Sequence, residues 1–264
     1  MDGKGEAFSF GTAFVLLPHL LVTARHVIEE FIRRGNRKPN SPEVALTFWA
    51  IQIAWKVNEH EYNIWEVTHT FISPHSDIAI LKVRAYNDTA AAYTQWKTTQ
   101  VNLEMPKVGE SIIGFGFHST SFAGSRFNPE GGLEHLELND KAFSSRGAVK
   151  AVYPVRRDSC MLPFPCFEVD ARFDHGMSGG LVINSQSELF GIICCGMNTD
   201  YSHAAMLWPM MGIVVDFDTF RTSPIEGCQP LLEFARLGFW KPRGWQKIRL
   251  TSPQDGLPAV TYLA

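Results

Sequence analysis

No apolar run in this chain reaches the roughly 18 residues needed to cross a bilayer, because polar side chains cut the longest ones short, so no transmembrane helix is expected. A basic excess is missing as well. With a formal net charge of −3 there is no global field to hold nucleic acid, and the short cluster RRGNRK at 33–38 reads as a solvated loop after a helix. The N terminus lacks a basic segment ahead of a clean apolar stretch, since Pro18 and His19 interrupt it, and does not read as a signal peptide. Paired cysteines are lacking too. Cys160, Cys166, Cys194, Cys195 and Cys228 form an odd set without metal-ligand spacing, which predicts a reducing, cytoplasmic setting. Internal repeats and low-complexity stretches are absent, and strands do not alternate with helices, which argues against a doubly wound sheet.

What the chain does contain is short β-rich segments between turn signals. FGTAFVLL, PEVALTFWAIQIAW, YNIWEVTHTF, DIAILKV, SIIGFGF, GAVKAVYPV, CFEVDARF, GLVIN, LFGIICCGM and HAAMLWPMMGIVV recur at a spacing that predicts an all-β barrel or sandwich. Helical patterns are confined to RHVIEEFIRRG, ending at Gly35, to DTAAAYTQW and to QPLLEFARLG. Residues 118–143, rich in Gly, Ser and polar side chains, read as a long loop between two strands. After about residue 222 the tail combines a short amphipathic helix with a hairpin of KIRLT and AVTYL around SPQDGLP. The simplest division is a two-lobed core over 1–222 and an extension over 223–264.

Three residues fit one chemistry. Acyl transfer by a serine hydroxyl needs a base, a carboxylate to orient that base, and donors for the developing oxyanion. LLVTARHV puts His26 where a strand runs into a helical pattern, an address from which an imidazole can face a cleft as general base. SDIAILKV puts Asp77 at the head of an alternating strand. DHGMSGG boxes Ser178 with glycines, which lets the N–H groups of Gly176 and Ser178 converge on one point. Taken singly, each is as readily a satisfied histidine, a turn-forming aspartate or a glycine-rich turn. It is their joint occurrence that carries weight.

In these motifs the chain resembles the chymotrypsin-like (trypsin-fold) serine proteases. The family marks its histidine with Thr-Ala-x-His, matched by Thr23-Ala24-Arg25-His26. It marks its aspartate with Asp-Ile-Ala-Leu-Leu, matched by Asp77-Ile78-Ala79-Ile80-Leu81 with one apolar exchange. It marks its serine with Gly-x-Ser-Gly-Gly, matched by Gly176-Met177-Ser178-Gly179-Gly180. The resemblance spans roughly residues 8–218 and is closest to intracellular and bacterial HtrA-like members, here without a PDZ-like domain. It implies two six-stranded antiparallel β-barrels, over about 8–105 and 106–222, and a serine endopeptidase acting on protein or peptide substrates with no metal or organic cofactor. It also implies Ser178 as nucleophile, His26 as general base then acid, Asp77 as orienting carboxylate, and the Gly176 and Ser178 N–H groups as oxyanion hole.

Departures from the family pattern add further expectations. Cleavage-activated members carry an aspartate just before the serine, whereas this chain has Met177, so restraint by an unformed oxyanion hole, the 118–143 loop, the C-terminal extension or a regulatory protein partner is expected instead. By resemblance, Cys195 and Gly196 lie on the strand that pairs with substrate. Arg172 falls near the base of the primary pocket, His203 near its wall and His175 on its rim. Arg172 and His203 would suit an acidic side chain at the cleaved bond; small or apolar side chains are the alternative. A catalytically silent protease-fold scaffold is the competing reading, although such a module has no need of all three catalytic residues. A cysteine protease of the same fold is excluded by the serine at 178.

Overall fold

A computed structural model describes residues 8–35, 47–56, 59–127, 133–196, 201–219, 226–251 and 259–263. The first lobe begins with β1 (Phe14–Leu17) and β2 (Leu20–Thr23), joined by a turn in which His19 takes a positive φ of 62°. Helix α1 (Arg25–Gly35) follows, then β3 (Trp49–Lys56), β4 (Glu59–Ile72) and β5 (Ala79–Ala85). These strands form one antiparallel sheet in the order β1-β2-β5-β4-β3. All four residues of β2 are buried, as expected for the LLVT run at the centre of the lobe. Five strands, not six, make up this sheet among the described residues.

The second lobe is the closed six-stranded barrel that was expected. Its strands are β6 (Ser111–Phe127), β7 (Leu133–Tyr153), β8 (Cys166–Val169), β9 (Leu181–Asn184), β10 (Leu189–Gly196) and β11 (Ser202–Met206), in the closed order β10-β11-β8-β7-β6-β9. One apolar core runs from Leu16, Val22 and Ile80 of the first lobe through Phe167, Ile192 and Ala204 of the barrel to Leu231 and Ile248 of the tail. The protein is thus mostly β, with two sheets that share a core.

Three sequence expectations are corrected. Residues 118–127 and 133–143 are not loop: β6 and β7 continue through them as a long paired ribbon, from Ser111↔Ala148 out to Phe127↔Leu133. Much of its outer part faces solvent, and the register shifts at His118/Ser121 and Phe122/Gly124 break the period-2 pattern. A two-sided polar ribbon has the composition of a loop, yet its backbone groups are satisfied by the ladder. The DTAAAYTQW helix is only one turn, α2 (Asp88–Ala91), capped by the Asn87 side chain accepting from the Ala90 N–H at 3.1 Å. HAAMLWPMMGIVV is not one strand. Pro209 falls in a 3₁₀ turn over Trp208–Gly212, which separates β11 from β12 (Val214–Asp216).

The tail carries β13 (Cys228–Pro230), which pairs with β12, then α3 (Leu231–Arg236) and the hairpin of β14 (Ile248–Thr251) and β15 (Ala259–Tyr262). The SPQDGLP turn between those last strands lies outside the described residues, as does the end of RRGNRK. Among the described residues no helix is long and apolar enough to cross a membrane.

Candidate active site

The antiparallel register of β2 on β5 pairs Val22 with Ile80 and Thr23 with Ala79. The residues just beyond those paired ends are therefore neighbours, although 51 positions separate them. His26 sits in the first turn of α1 and Asp77 in the turn that enters β5, where the Ser73 N–H donates to the Ile78 carbonyl at 3.0 Å. Asp77 holds His26 with both oxygens. Oδ1 accepts the His26 backbone N–H at 2.9 Å and Oδ2 lies 2.8 Å from Nδ1. Asp77 is 7% exposed while the His26 side chain is 44% exposed, so the carboxylate is sheltered and the imidazole reachable. Burial is the largest influence on His26 and pushes its pKa down. The Asp77 hydrogen bond, the Asp77 charge and the Glu29 charge outweigh it and leave the pKa above the ordinary 6.5.

Ser178 stands between the turn that follows Phe173 and the start of β9. The Met177 N–H donates to the Asp174 carbonyl at 3.1 Å, closing a four-residue turn with Gly176 at its third position. Gly176 has a φ of +94°, the left-handed conformation that a type II turn requires there. A second turn follows, Gly180 N–H to Met177 carbonyl at 2.8 Å, and β10 secures the loop through Gly179 N–H to Ile193 carbonyl and Ile193 N–H to Gly180 carbonyl, both 2.8 Å. Met177 is fully buried and its sulfur accepts from the Asp174 N–H at 3.2 Å, so an apolar side chain anchors the loop from within. Neither the Gly176 nor the Ser178 N–H has a hydrogen-bond partner among the described residues, which leaves both open to an incoming oxygen.

Ser178 and His26 line one cleft of about 720 Å³ with Gly176, His175, Cys194 and Cys195. In this resting arrangement the Ser178 hydroxyl donates to the Cys194 carbonyl at 3.1 Å. To donate to His26 Nε2 instead, the hydroxyl must leave that carbonyl, the kind of adjustment that substrate binding brings about. Cys194 is itself buried; burial raises its thiol pKa well above the ordinary value, and the nearby Asp77 charge adds to the effect. The Cys195 thiol is raised as well, by burial and then by Asp77, so neither is a nucleophile at neutral pH.

The pocket candidates divide. His175 is an exposed rim residue, and Cys195 and Gly196 line the cleft. Arg172 is not at the pocket base: its side chain is exposed and its Nε pairs with Asp174 Oδ1 at 2.7 Å. His203 is not at the wall. It is completely buried on the neighbouring strand β11, paired with Cys195 but outside the cleft lining, with Nε2 3.4 Å from Glu168 Oε2, and burial lowers its pKa. A Cβ on Gly196 would overlap the Phe173 carbonyl oxygen, so these two cleft-lining backbone segments lie in contact.

Sequence reasoning missed two parts of the site. The face of α1 that carries His26 continues along the cleft as Glu29, Glu30 and Arg33, the i, i+3, i+4, i+7 positions counted from His26, and helical period alone would have found it. Thr12, described below, had no signal beyond its place in GTAF. A separate apolar cavity of about 330 Å³, walled by Phe14, Phe31, Trp65, Phe122 and Leu136, lies between the first sheet and the long hairpin and contains no catalytic candidate.

With this geometry in place, the family model described as a trypsin-like peptidase domain matches residues 11–192. The chain belongs to that family. The match takes in His26, Asp77 and Ser178 of the peptidase domain. Among solved structures, the serine endoprotease from Yersinia pestis is similar at 17% identity and a TM-score of 0.41, with 74% of this chain and 53% of that chain covered. The chain therefore spans about half the length of that protein. No curated protein matches.

If His26 is the base, its raised pKa sets the acid limb of activity. The imidazole must be neutral to take a proton, so kcat/KM is expected to rise with pH through an apparent pKa above 6.5. Glu29→Gln should pull that limb down, by less than loss of the Asp77 carboxylate does, because Glu29 is the weaker of the two influences. A pH–rate profile of kcat/KM for both proteins checks this.

Proposed function

We propose that the protein is a serine endopeptidase that works through Ser178, His26 and Asp77. The observation that carries the reading is the two-point grip of Asp77 on His26, through Nδ1 and the backbone N–H. That grip keeps the proton on Nδ1 and leaves the Nε2 lone pair for the serine. Ser178 Oγ attacks the scissile carbonyl carbon as its proton passes to Nε2, and the resulting oxyanion is held by the Gly176 and Ser178 N–H groups. The imidazolium then protonates the leaving amine, and water, deprotonated by the same imidazole, releases the acyl group from Ser178.

The close approach of Gly196 to the Phe173 carbonyl favours a small side chain at the cleaved bond over an acidic one, since Arg172 is exposed and paired with Asp174 and His203 is fully buried. Such crowding supports a restricted set of protein substrates. All five cysteines are free, which supports a reducing, cytoplasmic setting.

Treatment with a fluorophosphonate, followed by peptide mapping, is expected to place a single adduct on Ser178. Sequencing the fragments released from a proteome-derived peptide library is expected to show glycine, alanine or serine at the cleaved bond. No adduct under any condition would favour the silent scaffold; an acidic preference would overturn the specificity alone.

A further inference from the structure

Thr12 lies just ahead of β1 in the first lobe and is 5% exposed, with every polar atom engaged. Its N–H donates to the Ser178 carbonyl at 2.7 Å. Its carbonyl accepts from Thr23 Oγ1 at 2.7 Å. Its hydroxyl accepts from the Phe117 N–H of β6 at 2.9 Å and donates to the Gly176 carbonyl at 3.1 Å. The direction of that last bond is forced. A hydroxyl has one hydrogen, and because the Phe117 N–H is itself a donor, that hydrogen goes to Gly176.

One side chain and one amide of the first lobe thus hold the carbonyls of Gly176 and Ser178, two cleft-lining residues whose N–H groups have no partner among the described residues. Pinning a carbonyl fixes the peptide plane to which it belongs. The Gly176 bond fixes the peptide after the left-handed glycine, where the turn is freest to change conformation. The Ser178 bond fixes the peptide that follows the nucleophile. We infer that Thr12 is a positioning residue for the oxyanion hole: it holds the Gly176–Ser178 turn from behind, in the conformation that presents both donors, without touching substrate. This rests on the serine endopeptidase reading above.

The role differs from packing in what it predicts. Donors aimed at an oxyanion act on the transition state more than on bound substrate, so a misplaced turn lowers kcat and leaves KM nearly unchanged. Thr12→Val keeps the shape and removes the hydroxyl, leaving the Phe117 N–H and the Gly176 carbonyl without their partner. Its kcat, per active site titrated by fluorophosphonate, is expected to fall about 10- to 100-fold with KM within about twofold of wild type. Thr12→Ser restores the hydroxyl and is expected to recover kcat to within about threefold. If Thr12→Val does not fold, Thr12→Cys, whose thiol is a weaker donor, is expected to give an intermediate kcat and takes its place.

A wild-type kcat per titrated site in Thr12→Val, or in Thr12→Cys where that is used, overturns the positioning role. So does a loss that Thr12→Ser shares. A wild-type protein with no turnover and no Ser178 adduct overturns the peptidase reading and this inference with it, so the two failures are distinguishable.

Discussion

Asp77→Asn is expected to lower kcat by about 10⁴-fold while the protein stays folded, the loss that this exchange causes in a Ser-His-Asp triad. The structure says why an isosteric change should cost so much. Oδ1 accepts the His26 backbone N–H and Oδ2 faces Nδ1. An asparagine has one acceptor oxygen and one NH₂ donor. The backbone N–H can only donate, so it claims the amide oxygen, and the NH₂ is left against Nδ1. The imidazole must then carry its proton on Nε2, the nitrogen that has to receive the serine proton. Substrate binding should survive, since Asp77 is buried behind the histidine and does not line the cleft. Loss of the charge also removes the chief influences that raise the His26 pKa, so the acid limb of the residual activity should move down. Steady-state kinetics across pH, with a thermal melt as folding control, measure both. A loss of tenfold or less with an unmoved limb would remove Asp77 from the mechanism.

The parts of this site that were legible in the sequence are those where local chemistry is distinctive. TARH, DIAIL and GMSGG each combine a chemical group with a backbone requirement, so His26, Asp77 and Ser178 could be picked out; the structure places His26 and Ser178 in one cleft. The fold class followed from short β segments with little helix, and the closed second barrel bears it out. What stayed hidden depends on where a side chain points. Arg172 has the right distance from Ser178 for a pocket base, but Asp174, two residues on, turns it outward into an ion pair. His203 sits on the strand next to the cleft, paired with Cys195, but it is fully buried and does not line the cleft, and burial depth is not legible in a strand's residue pattern. The long hairpin reads as a loop because both its faces are partly wet, so its sequence lacks the clean alternation of a half-buried strand and carries a loop's Gly, Ser and polar composition. Thr12 acts at 164 residues' separation from Gly176, and nothing local in a single sequence announces such a bond.

Gly179→Ala is expected to be the most damaging single methyl that this loop can receive. Gly179 has a φ of +84°, a conformation that L-residues rarely adopt. Space is the harder limit. A Cβ there would overlap both the Thr12 carbonyl oxygen and Thr23 Oγ1 and would stand 2.9 Å from the Ala24 N. Those first two atoms are partners in the 2.7 Å bond that ties Thr12 to β2, so the methyl enters as a wedge between them. Neither can yield cheaply, because β2 is wholly buried and Thr12 is held by Ser178 and Phe117 as well. Backbone strain, overpacking and a broken buried hydrogen bond combine to a loss above about 4 kcal/mol, the range reserved for such compound faults. For a chain of this size that lowers the melting temperature by roughly 8–16 °C. The molecules that remain folded must move Thr12, and with it the turn carrying Gly176 and Ser178, so kcat per folded molecule should fall by about 10³-fold as the oxyanion donors lose their aim. Thermal melts and the rate of fluorophosphonate labelling read the two effects separately. Near-wild-type values for both would show that the loop can shift away from Thr12 without losing its function, and that the close approach of the two lobes at Gly179 is not what holds the nucleophile in place.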